Sequence, residues 1–413
     1  MRNYLILMSA TALAACGGGG GPEAVGGTAP PPVPGGGGTP TPTAHSFVEP
    51  TQNKVYEGVG SVHSYNYSTR SDASGQYSEL YAGDATTARD GGITIAYSPR
   101  DAIFELTINR TKAGVDTSPL RFQDPAHRTD FDGARQPQAG VPDIDNRNIQ
   151  YLQAGSGGGD PLPPYVNPEP SYSTLPYGGN QYQSDVVTYF YQKPGTTTRY
   201  VTYAGFVRNK VNVVEVTVEG QLDANGDPYK YLENNYTLER AAFAYGERTP
   251  NSAVPRSGSA TFSGDMIASM VFNPKLDDPG AAADTYFQWI TGSGTHTVDF
   301  GTLGILSSFT GRVGPIARDA YSDGDHDMPE GSTFTANAHA AIDLVGKGGF
   351  FGQFDSASFR RPDGSTFTLN IAGSSIDGAF FGPGAEEIGG GFRVVGGTPD
   401  ERIDILGAFT GKK

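Results

Sequence analysis

Residues 378–392 have the sequence Gly378-Ala379-Phe380-Phe381-Gly382-Pro383-Gly384-Ala385-Glu386-Glu387-Ile388-Gly389-Gly390-Gly391-Phe392. The Gly-Pro-Gly segment predicts a tight turn between two strands, because glycine and proline favour the backbone angles of such turns. Two glutamates begin the second strand, and the glycines after them let a backbone bend or approach closely, as at a bulge or barrel corner. We interpret the stretch as structural, with a signature of Gly382, Pro383, Ala385, Glu386, Glu387, Gly389 and Gly390.

Around this stretch, polar and apolar residues alternate through most of residues 253–413. Along residues 333–344 the apolar positions are Phe334, Ala336, Ala338, Ala340, Ile342 and Leu344. The pattern predicts about eight strands, at 258–272, 285–300, 303–312, 332–345, 349–360, 365–381, 386–396 and 402–411. One apolar face per strand and short turns favour an antiparallel barrel or a sandwich, and about eight strands is the number that just fills a barrel interior.

Residues 45–252 show patchier strand signals. The alternating runs 93–97 and 104–108 flank a turn and predict a hairpin. Residues from about 111 to 180 are rich in glycine, proline and aspartate, and predict loops. Further strands are predicted at 186–191, 200–207, 211–218 and 229–244, with a turn at 223–227. The region is therefore predicted to be a second β-rich domain, and the whole chain to be all-β.

Two segments near the C-terminus carry a family resemblance. The string from Phe380 to Gly390, followed by a last strand ending Gly407-Ala408-Phe409-Thr410-Gly411-Lys412-Lys413, resembles the C-terminal barrel of the transferrin-binding protein B family. Residues 257–264 resemble the first strand of that barrel. The resemblance implies an eight-stranded antiparallel β-barrel over 253–413, preceded by a handle-like domain over 45–252. Family members carry two handle-plus-barrel lobes, whereas this chain has room for one.

The N-terminus predicts export and anchoring. One positive charge precedes an apolar run that ends Leu13-Ala14-Ala15-Cys16-Gly17. Residues 1–15 are typical of a secretory signal peptide and are too short to span a membrane. Their end resembles a bacterial lipobox, which implies cleavage before Cys16 and acylation of its thiol. Acyl chains, at about 0.8 kcal/mol per buried CH₂, hold a protein on a bilayer. The alternative is an ordinary signal peptide with a chance cysteine.

Composition limits the remaining possibilities. Residues 16–44 combine the lipidated cysteine with glycine- and proline-rich sequence, which predicts a disordered tether. Cys16 is the only cysteine, so an acylated chain has no thiol for a disulfide. The formal net charge of −15 argues against nucleic acid as a partner.

Few residues suggest chemistry. His127, Tyr151, Tyr172 and Tyr177 could ligate haem iron as cargo, the alternative being that they are ordinary loop residues. No metal-binding histidine pattern is present, so no metal site and no resident cofactor is predicted. The acidic run Asp323–Asp327 departs from a calcium loop and is interpreted as an interstrand loop.

Aromatic residues in the predicted handle strands allow two interpretations. They are Tyr182, Tyr189, Tyr191, Tyr200 and Tyr203. They could form an aromatic binding surface or pack in the core, and packing is favoured.

The resemblance implies a function that the residues alone do not specify. We expect a lipid-anchored outer-membrane protein, exposed at the cell surface or else facing the periplasm, that captures an iron source such as haem or an iron-carrying protein. Hand-over to a TonB-dependent outer-membrane receptor is implied as well. The alternatives are an adhesin, a host-factor-binding protein or a structural envelope lipoprotein. A hydrolase with a site in the 111–180 loops is disfavoured because no catalytic motif is recognised, and we expect no enzyme activity.

Overall fold

A computed structural model describes residues 52–77, 92–108, 119–123, 140–142, 144, 149–157, 181–193, 195, 197–273, 284–316, 322, 328–397 and 402–413. These residues form strands and turns, and none of their segments is a helix with the length and hydropathy of a membrane span. Residues His45–Lys413 form one compact unit. The predicted signal peptide, Cys16 and the predicted tether lie outside the described residues.

The described residues form eighteen strands. The first nine are β1 (Lys54–Arg70), β2 (Ala73–Tyr77), β3 (Ile93–Ser98), β4 (Ile103–Ile108), β5 (Leu120–Gln123), β6 (Ile149–Gly157), β7 (Gln181–Gln192), β8 (Val201–Leu222) and β9 (Pro228–Gly246). The second nine are β10 (Ser259–Asn273), β11 (Phe287–Asp299), β12 (Gly304–Ile316), β13 (Thr333–Ile342), β14 (Phe350–Arg360), β15 (Thr366–Thr368), β16 (Ile371–Phe381), β17 (Glu387–Gly396) and β18 (Arg402–Lys412).

The first nine strands form one antiparallel sheet, called here the handle sheet. Its order is β5-β4-β3-β1-β9-β8-β7-β6, with β2 paired to β1. The predicted hairpin is confirmed, because β3 and β4 pair from Ile93 opposite Ile108 to Ser98 opposite Ile103. On one face, aromatic rings fill a core in which the hydroxyls of Tyr189 and Tyr245 are 2.7 Å apart.

The second nine strands form the barrel. Its order is β13-β12-β11-β10-β18-β17-β16-β14, and pairing of β13 with β14 closes it. Eight strands make the wall and β15 is a short addition beside β14. The predicted all-β class and eight-stranded antiparallel barrel are confirmed. The predicted boundary between domains at residue 252 stays a prediction.

Alternating side chains fill the barrel. The strand β13 buries every second residue, with Phe334, Ala336 and Ala338 inside. Small alanines there leave room for phenylalanines from the two neighbouring strands, Phe309 of β12 and Phe354 of β14, whose ring centroids are 5.7 Å apart. Large and small side chains thus fill a barrel of this size without leaving a pore.

Three predicted elements differ from the structure. The predicted strand 365–381 is two strands, β15 and β16, because the chain leaves the ladder at residues 369 and 370. The predicted strands 200–207 and 211–218 are one strand, β8. The predicted loop region 111–180 contains β5 and β6, so residues 155–157 extend a strand whose partner β7 supplies the backbone hydrogen bonds.

A histidine is enclosed in the barrel core. The ring of His296 stacks on Phe409 with centroids 4.5 Å apart, and its Nδ1 lies 2.9 Å from the Ser307 hydroxyl oxygen. The side chain is fully buried, and burial lowers the pKa of His296 to about 3. The imidazole is therefore neutral at physiological pH.

His296 should make the barrel sensitive to acid. Between pH 6.5 and about 3 the unfolded histidine binds a proton that the folded one does not, so stability falls as pH falls. We expect the change His296→Phe to remove about 2–3 kcal/mol of the stability difference between pH 7 and about pH 4.5. Urea unfolding at both pH values measures it, with the exposed His339→Phe as control. Equal pH dependence in wild type and both variants would contradict the assignment.

Candidate functional site

The sequence signature lies where the barrel meets the handle sheet. Residues 382–385 form the turn between β16 and β17, as the Gly-Pro-Gly segment predicts. Gly382 has a φ of 88°, in the left-handed region that glycine adopts without strain. Its amide donates a hydrogen bond to the Glu247 carbonyl at 3.0 Å, which is just beyond the end of β9. The turn is therefore tied to the handle sheet.

The Glu387 carboxylate holds the first residue of β8 and the two residues before it. Its Oε1 accepts a hydrogen bond from the amide of Arg199 at 2.6 Å. Its Oε2 accepts from the amides of Tyr200 at 2.7 Å and Val201 at 3.1 Å. Burial raises the pKa of Glu387, and the three amide donors only partly offset this. The carboxylate thus satisfies three backbone donors at a strand start and carries a desolvation cost for doing so.

The glycines after Glu387 allow the two sheets to touch. A Cβ on Gly391 would lie 2.6 Å from the Cα of Gly60 in β1. A Cβ on Gly389 would lie 2.6 Å from a Val201 methyl. Strand β17 keeps regular pairing with β16 and β18 through these glycines, so their function here is close approach and not a bulge.

An apolar cluster extends the contact between the sheets. The handle sheet contributes Phe190 and Tyr203, and the barrel contributes Trp289 and Leu406. The rings of Phe190 and Trp289 meet edge to face with centroids 5.7 Å apart. The indole N–H of Trp289 also donates to the carbonyl of Gly140 at 2.7 Å. The sheets therefore share a buried core, which fixes their relative position.

Gln76 of β2 makes a second polar link between the handle sheet and the barrel. The Gln76 side-chain amide donates to the Thr285 carbonyl at 3.0 Å and accepts from the Thr285 amide at 2.9 Å. The Gln76 backbone amide donates to Asp284 at 2.8 Å. The side chain of Gln76 thus pairs with the barrel backbone as a neighbouring strand would. No local sequence pattern marks this residue.

One of the four predicted haem-ligand candidates is described. The Tyr151 hydroxyl donates to the carbonyl of Pro142 at 2.9 Å, and its ring packs on Phe190. This hydroxyl holds the segment before β6 against the strand. His127, Tyr172 and Tyr177 lie outside the described residues, so the set of four haem-ligand candidates stays a prediction.

The tyrosines proposed as an aromatic surface lie mainly in the interior. Tyr189, Tyr191 and Tyr203 are buried, and Tyr200 is partly buried next to the Glu387 contact. The core-packing alternative therefore holds for these residues, and the side chain of Tyr182 lies outside the described part. Among described residues, no group of three or more His, Cys, Asp or Glu could hold a metal ion. The acidic run 323–327 also lies outside the described residues.

Exposed apolar side chains gather at one end of the barrel wall. Leu303, Leu306, Val345 and Phe351 are on or beside β12 and β14, and we call them the apolar patch. Leu306 is 66% exposed and Phe351 is 48% exposed. The patch lies on strands that pair with β11, β13 and β16, away from the strands that contact the handle sheet. Exposed apolar side chains grouped on a protein surface are typical of contact sites for other proteins.

Comparison with known proteins gives similarity to solved structures alone. A transferrin-binding protein B mutant from Haemophilus parasuis is similar at 10% identity, with 90% of this chain and 78% of that chain covered and a TM-score of 0.25. The protein of the same name from Neisseria meningitidis has 11% identity, 88% and 77% coverage and a TM-score of 0.22. A structure named as a surface lipoprotein has 13% identity, 52% and 75% coverage and a TM-score of 0.23.

Neither a protein-family model nor a curated protein matches the chain. At these identities and TM-scores, the likeness carries no argument about what the chain binds. The support for the handle-and-barrel fold expected from residues 378–392 is the observed order of the strands in the two sheets.

We expect Glu387 to stabilise the junction specifically. The change Glu387→Gln places an NH₂ group against backbone amides and should cost about 1–3 kcal/mol of unfolding free energy. The matched control is Glu386→Gln, because among the described residues the Glu386 carboxylate accepts one hydrogen bond, from the amide of Gly384 at 2.9 Å. That change should cost less than about 1 kcal/mol. Urea unfolding measures both losses, and hydrogen exchange at Tyr200 and Val201 localises them. Equal losses in the two variants would refute a special role for Glu387.

Proposed function

We propose that the chain is a lipid-anchored surface protein of the outer membrane that captures an extracellular ligand. The observation that carries the proposal is the Leu13-Ala14-Ala15-Cys16 sequence ahead of a compact all-β unit, His45–Lys413. An acylated Cys16 would place this unit at a membrane, and a low-complexity segment would give it reach. Loops carried on a rigid β scaffold suit recognition of a ligand.

The proposed cargo is an iron source, as the resemblance of residues 378–392 implies, with transfer to a TonB-dependent receptor. Of the two forms of cargo, haem and an iron-carrying protein, the apolar patch supports the protein. The Tyr151 hydroxyl is already hydrogen-bonded to backbone, which gives haem no support from that residue. A role in adhesion, host-factor binding or envelope structure would share the anchor but not the receptor.

The anchor has a direct test. The change Cys16→Ala removes the only thiol, so the protein should move from the membrane fraction to the soluble fraction. The control Ser9→Ala alters the same segment and keeps the cysteine. Fractionation followed by mass measurement of the N-terminal peptide checks both variants. A Cys16→Ala protein that still sediments with membranes would contradict the anchor.

The cargo has a separate test. The purified protein, immobilised on a resin, should retain a partner from host or culture fluid. The change Phe351→Asp should reduce that retention at least about tenfold, because it places a carboxylate in an apolar contact. Val55→Asp is the matched control, since Val55 is also exposed but lies at the start of β1. Equal retention by both variants would exclude the patch as the contact.

Haem as cargo and transfer to a receptor each have a test of their own. Haem added to the purified protein should shift its Soret band if a tyrosine or histidine ligates the iron, and an unchanged spectrum would exclude haem as cargo. A TonB-dependent receptor gene beside this one, with iron-repressed expression, would support uptake. Constitutive expression without such a neighbour would favour the roles that do not involve uptake.

A further inference from the structure

The barrel wall contains a cleft between neighbouring strands. Strands β14 and β16 pair only from Phe350 opposite Gly378 to Gly352 opposite Ile376. The far end of β14 pairs instead with β15. Between these two pairings lies a cleft of 430 Å³. Its volume falls within the range of about 300–1,000 Å³ that small-molecule sites occupy.

A β-bulge turns a carboxylate toward this cleft. Asn337 is opposite Ser356 and Ala338 is opposite Phe354, so Asp355 is the extra residue between them. Bulges of this kind re-aim a side chain and are frequent beside binding sites. The Asp355 Oδ1 lies 2.7 Å from the Nδ1 of His339, which holds the carboxylate in place. Asp355 lines the cleft.

Two further polar groups at the cleft can take a ligand. The Ser374 oxygen accepts a hydrogen bond from the Phe354 amide at 3.0 Å, so its own proton remains available to donate. The Gln353 side chain is exposed and has no hydrogen-bond partner among the described residues. Its amide offers both donors and an acceptor. Leu369 and Ile371 also line the cleft, where Leu369 is buried and Ile371 is partly exposed.

This combination selects among ligand classes. The described lining residues include no lysine or arginine, which leaves an anion without a counter-charge. The Asp355 carboxylate already has a hydrogen-bond partner in the His339 ring, so a cationic ligand is not needed to pair it. A saccharide ring carries several hydroxyl groups, which both donate and accept hydrogen bonds, as the amide, hydroxyl and carboxylate here require. We propose that the cleft between β14 and β16 binds a neutral saccharide unit.

Such a site is independent of the proposed capture function, because it uses neither the apolar patch nor the N-terminal anchor. The surface protein would then contact glycans through its barrel wall. Either proposal can fail while the other stands.

Titration of the purified protein, followed by two-dimensional NMR, tests the site. The probes are the methyl glycosides of glucose, galactose and N-acetylglucosamine, with putrescine and glucuronate as the cationic and anionic comparisons. At least one glycoside should shift the side-chain amide of Gln353 and the backbone amide of Gly373. The absence of any glycoside shift there, or shifts with putrescine or glucuronate alone, would overturn the proposal.

Variants make the test specific. Gln353→Ala should weaken glycoside binding about tenfold through loss of its hydrogen bonds to the ligand. This exposed residue has no partner to disturb, so the fold should be unaffected. The control Ser358→Ala changes a hydroxyl on the same strand that faces Thr335, and should leave affinity unchanged. An equal loss in both variants, or no loss in Gln353→Ala, would exclude the cleft as the saccharide site.

Discussion

The buried carboxylate of Glu387 is the interaction on which the arrangement of the two sheets depends. It lies at the first residue of β17 and gathers the amides of three successive residues at the start of β8. Strand ends leave backbone donors without ladder partners, and burying them unpaired would be costly. A single side chain from the barrel supplies the missing acceptors. The longest strand of the handle sheet therefore starts at a point that the barrel determines.

The rest of the contact can be understood from that point. Glycines at 389 and 391 remove the side chains that would hold the sheets apart, and the cluster around Trp289 fills the space that remains. Gln76 fixes the other end of the contact with a pair of amide hydrogen bonds. Because polar links lie at both ends of an apolar core, rotation of one sheet over the other would break buried hydrogen bonds. Ligand contacts on the handle sheet and on the barrel are thus held at a constant spacing.

Much of the barrel could be predicted because its strands have a simple period. Along β13 every second residue points inward, so the alternation of polar and apolar residues identifies both the strand and its inward face. β6 was missed because Gly155, Ser156 and Gly157 lack strand propensity, and its pairing is supplied by β7. The alternation along β11 places His296 on the same inward face as Val298, but the polar type of the side chain gives no sign of burial. The partners of Glu387 could not be predicted, since 186 to 188 residues, which carry β8 to β16, separate them from Glu387 in sequence.

The links that Glu387 and Gln76 make across the junction share one property: each side chain hydrogen-bonds backbone atoms of the other sheet's part of the chain. Glu387 contacts amides of Arg199, Tyr200 and Val201, and Gln76 contacts the amide and carbonyl of Thr285. Backbone groups are the same whatever side chain the residue carries. A change of side chain at Arg199 or Thr285 therefore leaves the backbone atoms of these hydrogen bonds in place. A barrel that keeps one glutamate and its small glycines could accept handle sheets of very different surface, and recognition could change while the joint stays constant.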